Sequence, residues 1–392
     1  MIETGIPKLD EYLGGGIPEG KSLLFCIDPT VEESNLGIHT LHHNLEKGRN
    51  CIYVVSKSSP KQVSKTFEEF GWRMEKYRDN LILLDGYSPL VGAPSEEKYV
   101  VLEPHDILSY EDAIQDAIEA SPNRPIIVFD SLSNILDLCG ERDALQGITR
   151  INDEIGKREG VGIYNFAAWP YKESILYRIK RIFDAIIDVT PIPGAMFVGQ
   201  KYTPSKISWG GKTGKSVMFK VYKPGGIRIY IPKIIIIGPF QAGKTTFMRS
   251  LSTRFTPVDR LGATVSVEHG IVDYKGYRAE LFGIPGQERF LPIMEKMGKT
   301  AFGIFLVIDA TKPHELEHAR QLLRNARNNI PCVIVANKQD LQGVLSEEEI
   351  RERLGVGEEV PIVKTIATQG TGVKEAFEVL VNKIMDSEVY VG

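Results

Sequence analysis

Gly238-Pro-Phe-Gln-Ala-Gly243-Lys244-Thr245 stands directly after the apolar run Pro232-Lys-Ile-Ile-Ile-Ile237 and directly before Thr246-Phe-Met-Arg-Ser-Leu251, whose spacing is helical. A strand, a glycine-bounded loop, Lys-Thr and a helix, in that order, build a cradle for phosphate groups. The glycines let backbone N–H groups curl around an anion, and the helix N-terminus adds partial positive charge. Lys244 is placed to neutralise β- and γ-phosphate oxygens, and the Thr245 hydroxyl to bind Mg²⁺. A glycine-rich turn with a chance Lys-Thr is the bland alternative, and the elements on both sides argue against it. The stretch therefore predicts an α/β domain with a mostly parallel sheet under helices.

Three patches downstream fall in the order of a nucleotide switch. Ala336-Asn337-Lys338-Gln339-Asp340 closes the apolar run Pro331 to Ala336. A carboxylate at Asp340 accepts two hydrogen bonds from the N1–H and 2-amino group of guanine, which adenine lacks. Asn-Lys-x-Asp resembles the guanine-reading motif of Ras-like GTPases, which implies that Asn337 braces the loops and that the Lys338 stem covers the base. Leu281-Phe-Gly-Ile-Pro-Gly286-Gln287-Glu288-Arg-Phe290 ends a second strand, and Thr264 precedes the run Val265 to Tyr274.

These motifs resemble the Ras-like small GTPases, over residues 230–392, and the Phe-Gly-x-Pro-Gly-Gln-Glu form resembles the prokaryotic branch. The resemblance implies that the Gly286 N–H meets a γ-phosphate, that Gln287 orients the attacking water, and that Thr264 completes the Mg²⁺ shell, with Thr256 as the fallback. Thr365-Ile-Ala367-Thr368 sits where the family has Ser-Ala-Lys, so the Ala367 N–H would meet the guanine O6. The cofactors implied are GTP or GDP and Mg²⁺. The implied nucleotide-binding set is Gly238, Gln241, Ala242, Gly243, Lys244, Thr245, Thr246, Gly286, Asn337, Lys338, Asp340, Ala367 and Thr368. Thr245 and Thr264 would hold the metal, and Gln287, Lys244 and Thr264 would serve catalysis. One position departs from the family: the acid that steadies Mg²⁺ through a water is Gly283 here. No arginine finger is assigned among Arg254, Arg260 and Arg289.

The first 229 residues repeat the strand–helix alternation. Ser22 to Cys26, Cys51 to Val55, Asn80 to Leu84, Pro125 to Phe129, Gly162 to Phe166 and Ala185 to Val189 read as buried strands, and Glu111 to Ala120 and Ala144 to Arg158 as helical. Ser216 to Tyr222, a turn at 223 to 226 and Ile227 to Tyr230 read as a closing hairpin. Thr4-Gly-Ile-Pro-Lys-Leu-Asp10, the glycines to Gly16 and Gly20 before the first strand resemble the opening of KaiC-like ATPases of the RecA superfamily. That resemblance implies a RecA-like core up to about residue 229.

The family's phosphate loop is replaced by Ile27-Asp28-Pro-Thr-Val-Glu32-Glu33-Ser34-Asn35. Aligned by the strand, Asp28 and Glu33 replace glycines, Ser34 the lysine and Asn35 the hydroxyl residue. Like charges 4 Å apart repel by roughly 4 kcal/mol at an effective dielectric near 20, so this loop disfavours polyphosphate. The paired catalytic glutamates correspond to Lys57 and Ser58. Asp130 survives at a strand end, where it caps a turn or holds a metal. A pseudo-ATPase is the simplest reading. Gly210-Gly-Lys-Thr-Gly-Lys-Ser216 lacks the preceding strand and reads as a hairpin connection, and Tyr177 to Arg181 as a charged helix face.

Two P-loop-type α/β/α domains, 1–229 and 230–392, are thus expected, held in a fixed relation because no Gly/Ser-rich spacer separates them. The 392 residues suit two cores, and 42% hydrophobic with 25% charged residues excludes a disordered chain. The net charge of −4 gives no general pull toward nucleic acid or anionic membrane. Residues 230–392 carry 20 basic and 20 acidic side chains, so the negative excess lies in the first domain. Cys26, Cys51, Cys139 and Cys332 form no metal or disulfide pattern, and neither a leader, a spanning helix nor a lipidation signal is read. A cytoplasmic switch follows as the expectation, with protein regulators or effectors and self-association as partners, and with neither membrane nor nucleic acid. Two competing readings are a scaffold that binds guanine nucleotide without turnover and an ATP-dependent DNA-acting enzyme.

Overall fold

Runs of buried β-branched residues alternate with amphipathic helices and form two units, Met1–Arg228 and Ile229–Gly392. The computed structural model describes residues 1–31, 35–121, 124–192, 199–256, 267–326 and 330–387, with the backbone alone at Glu288.

In the first unit the elements are α1 (Leu9–Tyr12), β1 (Ser22–Ile27), α2 (Leu36–Glu46), β2 (Cys51–Val55), α3 (Pro60–Glu69), β3 (Leu81–Asp85), β4 (Tyr99–Val100), α4 (Ile107–Ala120), β5 (Ile126–Phe129), α5 (Leu132–Cys139), α6 (Glu141–Lys157), β6 (Val161–Ala167), α7 (Glu173–Ile182), β7 (Ala185–Pro191), β8 (Gln200–Ile207) and β9 (Val217–Tyr222). The strands line up as β4-β3-β2-β5-β6-β1-β7 in parallel, and β8 and β9 extend the sheet antiparallel beyond β7. Strands β2 and β5 are buried along their whole length, as a parallel sheet covered on both faces requires.

Helix α4 buries Ile107, Tyr110, Ile114, Ala117 and Ile118, a stripe at helical spacing. It begins four residues before the stretch read as helical, because the Asp106 side chain accepts the Leu108 N–H and caps it. Helix α6 meets α4 at Gly147, where a Cβ would lie 2.1 Å from Ile107 Cγ1. Residues 208–216 connect antiparallel β8 and β9, and the Trp209 indole in that connection donates to the Leu13 carbonyl at 2.8 Å. The opening motif closes on itself: Asp10 accepts from the Thr4 N–H at 2.6 Å, the Thr4 hydroxyl at 2.8 Å and the Gly5 N–H at 3.0 Å.

The second unit takes over within β10 (Gly226–Ile237) and continues with α8 (Lys244–Leu251), β11 (Arg254–Thr256), β12 (Glu268–Tyr274), β13 (Tyr277–Gly283), α9 (Leu291–Gly298), β14 (Gly303–Asp309), α10 (Leu316–Ala326), β15 (Cys332–Asn337), α11 (Glu347–Leu354), β16 (Ile362–Lys364) and α12 (Val373–Asp386). Its order is β11-β12-β13-β10-β14-β15-β16, parallel from β13 onward, with β11 and β12 antiparallel. Sequence reading split β10 at Tyr230, yet the strand is continuous. Pro232 lacks an N–H for the ladder, and the register against β13 shifts between Ile231 and Ile234 to accommodate it. The core is made by Ile235, Ile237, Ile304, Leu306, Ile334 and the inner faces of α9 to α11. Strand β13 lies on one side of β10 and β14 on the other, so the chain reverses direction across the sheet there. In open α/β sheets ligands bind beyond the C-terminal ends of the strands at such a reversal.

Candidate functional site

The loop after β10 is shaped by glycines at positions where a side chain has no room. Gly238 has φ 148°, and a Cβ there would lie 2.0 Å from the Val307 carbonyl oxygen. Gly243, at φ 98°, caps α8, and its Cβ would meet Asn337 Nδ2 at 2.3 Å. Gln241, exposed and at φ 63°, completes the curl, and Ala242 is buried. Lys244 folds back across the loop and donates from Nζ to the carbonyls of Gly238 at 2.9 Å and Pro239 at 2.7 Å. Burial lowers its pKa to about 8, opposed by the charges of Glu268 and Glu315. Thr246 is exposed one position beyond Thr245.

Asn337, at the end of β15, is 3% exposed and ties three segments together. Its Nδ2 donates to the Ala242 carbonyl at 3.0 Å, and its Oδ1 accepts from the Thr365 hydroxyl at 3.2 Å and the Ala367 N–H at 3.0 Å. The Ala367 N–H, expected to face a guanine O6, is thus engaged by Asn337, and the exposed Thr368 is next along the loop. Lys338, at φ 66°, is anchored by Asp309 on β14: Nζ donates to Oδ2 at 2.6 Å. Burial raises the Asp309 pKa, but the Lys338 and Thr311 donors outweigh it and hold the group below the usual carboxylate range. Asp340 lies exposed two residues beyond. Sequence reading missed Asp309, although an acid closing the apolar run Gly303–Asp309 was a visible signal.

On the other side, Gly286 packs onto the phosphate loop so tightly that a Cβ would stand 2.1 Å from the Gly238 carbonyl oxygen. Gln287 is exposed, with its backbone carbonyl accepting the Phe290 N–H at 3.0 Å. Thr264 and Arg260 lie outside the described residues, and the strand read from Val265 is described from Glu268. Thr256 is exposed on β11, opposite His269. Arg254 is exposed on the same strand, and Arg289 sits over the Phe290 ring at 4.8 Å. The Thr245 hydroxyl donates to the Glu268 carboxylate, 2.7 Å from Oε1 and 2.9 Å from Oε2. Hydroxyl and carboxylate oxygens side by side are the hard donors Mg²⁺ takes, so these residues fit that ion.

The corresponding loop of the first unit is built differently. Asp28 turns its carboxylate onto its own loop, accepting the Thr30 N–H at 2.8 Å and its hydroxyl at 2.5 Å. These donors, the Thr30 hydroxyl first, lower the Asp28 pKa. Glu33 and Ser34 lie outside the described residues. A cavity of about 300 Å³ beside this loop is lined by Asp28, Asn35, Lys57, Asp130 and Asn165 among others. Asp130 Oδ1 accepts the Ser56 N–H at 2.9 Å and hydroxyl at 2.7 Å, and Oδ2 accepts the Lys57 N–H at 3.0 Å. Burial pushes its carboxyl up, and these bonds fasten the end of β5 to the turn after β2.

Residues 229–384 match the model of the ADP-ribosylation factor family, and residues 2–162 match the KaiC ATPase model. A UPF0273 protein of Pyrococcus furiosus is 33% identical over 137 residues, covering 34% of this chain and 55% of that protein. Another, from Methanopyrus kandleri, is 34% identical over 120 residues, 30% of this chain and 48% of its own. The chain spans about half the length of these curated relatives. A KaiC-like protein from Pyrococcus horikoshii OT3 aligns with TM-score 0.47 and 22% identity over 58% of this chain and 98% of that one. The flagellar accessory protein FlaH from Methanocaldococcus jannaschii aligns with TM-score 0.48 and 17% identity, over 58% and 97%. The first unit is therefore similar to KaiC-type ATPase domains and the second to GTPases of the Arf/Ras type, in keeping with two P-loop α/β domains. Among the described residues, no helix is long and apolar enough to cross a membrane.

Proposed function

We propose that the second domain is a GTP-binding molecular switch with slow intrinsic hydrolysis. The first domain, in this reading, has lost ATP chemistry and serves as a regulatory, partner-binding or oligomerisation module. The observation that carries the proposal is Asn337, whose one side chain links the phosphate loop at Ala242 to the base-facing segment at Thr365 and Ala367. Such a bracket would hold the two ends of one nucleotide in register.

GTP entering the loop would draw the Lys244 ammonium from the Gly238 and Pro239 carbonyls to its phosphates. Asp340 would read the guanine N1–H and 2-amino group while Lys338, steadied by Asp309, covers the base. The Ala367 N–H, which Asn337 engages in this structure, would turn to the guanine O6, with Thr368 beside it. Thr264 and Gly286 would sense the γ-phosphate, and Gln287 would orient water, so catalysis is positioning and charge stabilisation. Mg²⁺ held at Thr245, with Thr264, would supply positive charge against the phosphates.

Single-turnover hydrolysis of γ-labelled GTP by the full chain with Mg²⁺, beside Gln287→Leu and an ATP control, tests this. Turnover of GTP alone that falls tenfold or more in the variant is the expected outcome. Tight GTP binding with no turnover in either protein would favour the scaffold reading, for which the absent acid at Gly283 is the argument.

A further inference from the structure

We propose that the cavity beside the loop after β1 binds a small organic cation of the guanidinium class, in place of the polyphosphate that this loop disfavours. The inference rests on the reading of the first domain as one without ATP chemistry and goes beyond it by giving that site a ligand.

Hydrogen bonding in the cavity wall leaves acceptors over. The donors are taken up within the wall itself: the Ser56 N–H and hydroxyl and the Lys57 N–H go to Asp130, the Ser131 hydroxyl goes to Asn134 at 3.0 Å, and the Thr30 N–H and hydroxyl go to Asp28. Both Thr30 bonds fall on Asp28 Oδ1, so among the described residues Oδ2 carries no hydrogen bond. Asp130 Oδ2 accepts the Lys57 N–H, which leaves it a second lone pair. A third lining group, the Asn165 side-chain oxygen, is buried without a partner among the described residues, while its Nδ2 donates to the Phe129 carbonyl at 3.1 Å.

Charge has the same sign. Two carboxylates, Asp28 and Asp130, line the cavity beside one amine, Lys57, among the described lining residues. In sequence, residues 28–35 hold three acids and no base. Trp169 lines the rim although it is 51% exposed, and Tyr53 lines the wall. An aromatic face next to carboxylates attracts a cation. A guanidinium answers both features, because it carries five N–H donors and no acceptor and its flat face stacks on aromatic rings. The cavity volume of about 300 Å³ is at the small end of the range for ligand sites, which suits such a molecule.

The test titrates the full chain with agmatine, a guanidinium on a short aliphatic stem, by calorimetry and by tryptophan emission. GDP is present throughout to fill the second unit, and spermidine and ATP are the comparisons. Saturable agmatine binding with a Kd below about 1 mM is expected, with spermidine at least about threefold weaker because an ammonium has no flat face. Asp28→Asn should weaken agmatine about tenfold or more, and Trp169→Ala about three- to tenfold. Lys57→Met should tighten it, since a competing positive charge is removed, whereas at an anion site the same change would weaken binding. Unchanged urea midpoints of the variants, read from the remaining tryptophans, show that the fold is intact.

Absence of saturable agmatine binding up to about 10 mM overturns the proposal and leaves the reading of the first domain standing. Agmatine binding that survives both Asp28→Asn and Trp169→Ala unchanged places the cation elsewhere and overturns it as well. Spermidine binding as tightly as agmatine overturns the guanidinium assignment. ATP binding that is lost in Lys57→Met overturns the reading of a domain without ATP chemistry, and this inference falls with it.

Discussion

The loops after β1 and β10 occupy the same place in two related α/β units, each leaving a buried strand and leading to a helix, yet their chemistry is opposite. After β10, Gly238 and Gly243 open the backbone, Lys244 supplies charge and Thr245 supplies a hydroxyl. After β1, Asp28 turns its carboxylate onto Thr30, and the sequence from Asp28 to Asn35 holds neither glycine nor lysine. The fold does not need a phosphate loop to stand: the first unit retains the sheet and core and fastens Asp130 to Ser56 and Lys57. Function in such a fold lives in a few side chains that packing does not require.

The largest expected effect tests that contrast directly. Hydrogen bonds from a charged donor contribute about 1.5–3 kcal/mol each, and Lys244 has the reach for two phosphate oxygens. Lys244→Ala should therefore weaken GTP binding by about 100-fold or more, measured by equilibrium titration of the full chain. Lys57→Ala, in the first unit's cavity, should leave it unchanged. Residual micromolar binding of ATP or GTP to Lys244→Ala would mean that the first unit holds nucleotide after all, and the comparison would break.

What could be read in the sequence follows the same division. The phosphate loop and Asn-Lys-x-Asp were legible because their chemistry demands fixed residue types at adjacent positions. Buried strands such as Cys51–Val55 were legible from their composition. Glu268 and Asp309 were not assigned, because each meets its partner only through strand register or loop geometry: Thr245 for one, Lys338 for the other. The engagement of the Ala367 N–H by Asn337 was equally hidden, since a side chain thirty residues away competes for it. Continuity of β10 was missed because a proline reads as a break, whereas a register shift absorbs it.

A smaller effect sharpens the comparison at the level of stability. Burial lowers the pKa of His39 and of His42 to about 4, and the His42 ring stacks on Trp72 with centroids 3.8 Å apart. Unfolded histidine titrates near 6.5, so the contribution is complete above that value and is lost as pH falls toward 4. At pH 5, His39 alone costs the first unit about 2 kcal/mol of stability. All three tryptophans, Trp72, Trp169 and Trp209, belong to this unit, so tryptophan emission reports on it selectively. The urea midpoint by emission should fall between pH 7 and pH 5, and His39→Gln should flatten that dependence. An emission midpoint independent of pH in wild type would contradict the neutral, enclosed imidazoles.

The smallest effect sets two strand-end aspartates against each other. Asp309 closes β14 and holds Lys338, while the Thr311 N–H and hydroxyl occupy its other oxygen at 3.1 and 2.7 Å. Asp130 follows β5 and accepts from the Ser56 and Lys57 backbone N–H groups and the Ser56 hydroxyl. Asp309→Asn keeps the shape but removes the charge from the Lys338 bond, which is worth about 1 kcal/mol. Guanine-nucleotide affinity should then fall about fivefold, mostly through faster release, as Lys338 loses its anchor above the base. Asp130→Asn instead turns an amide donor toward a backbone N–H or hydroxyl and costs about 1–3 kcal/mol of first-unit stability, with nucleotide affinity unchanged. If Asp130→Asn lowered nucleotide affinity as much as Asp309→Asn, the first unit would have to act on the second unit's site, and the two loops could no longer be treated as separate chemistry.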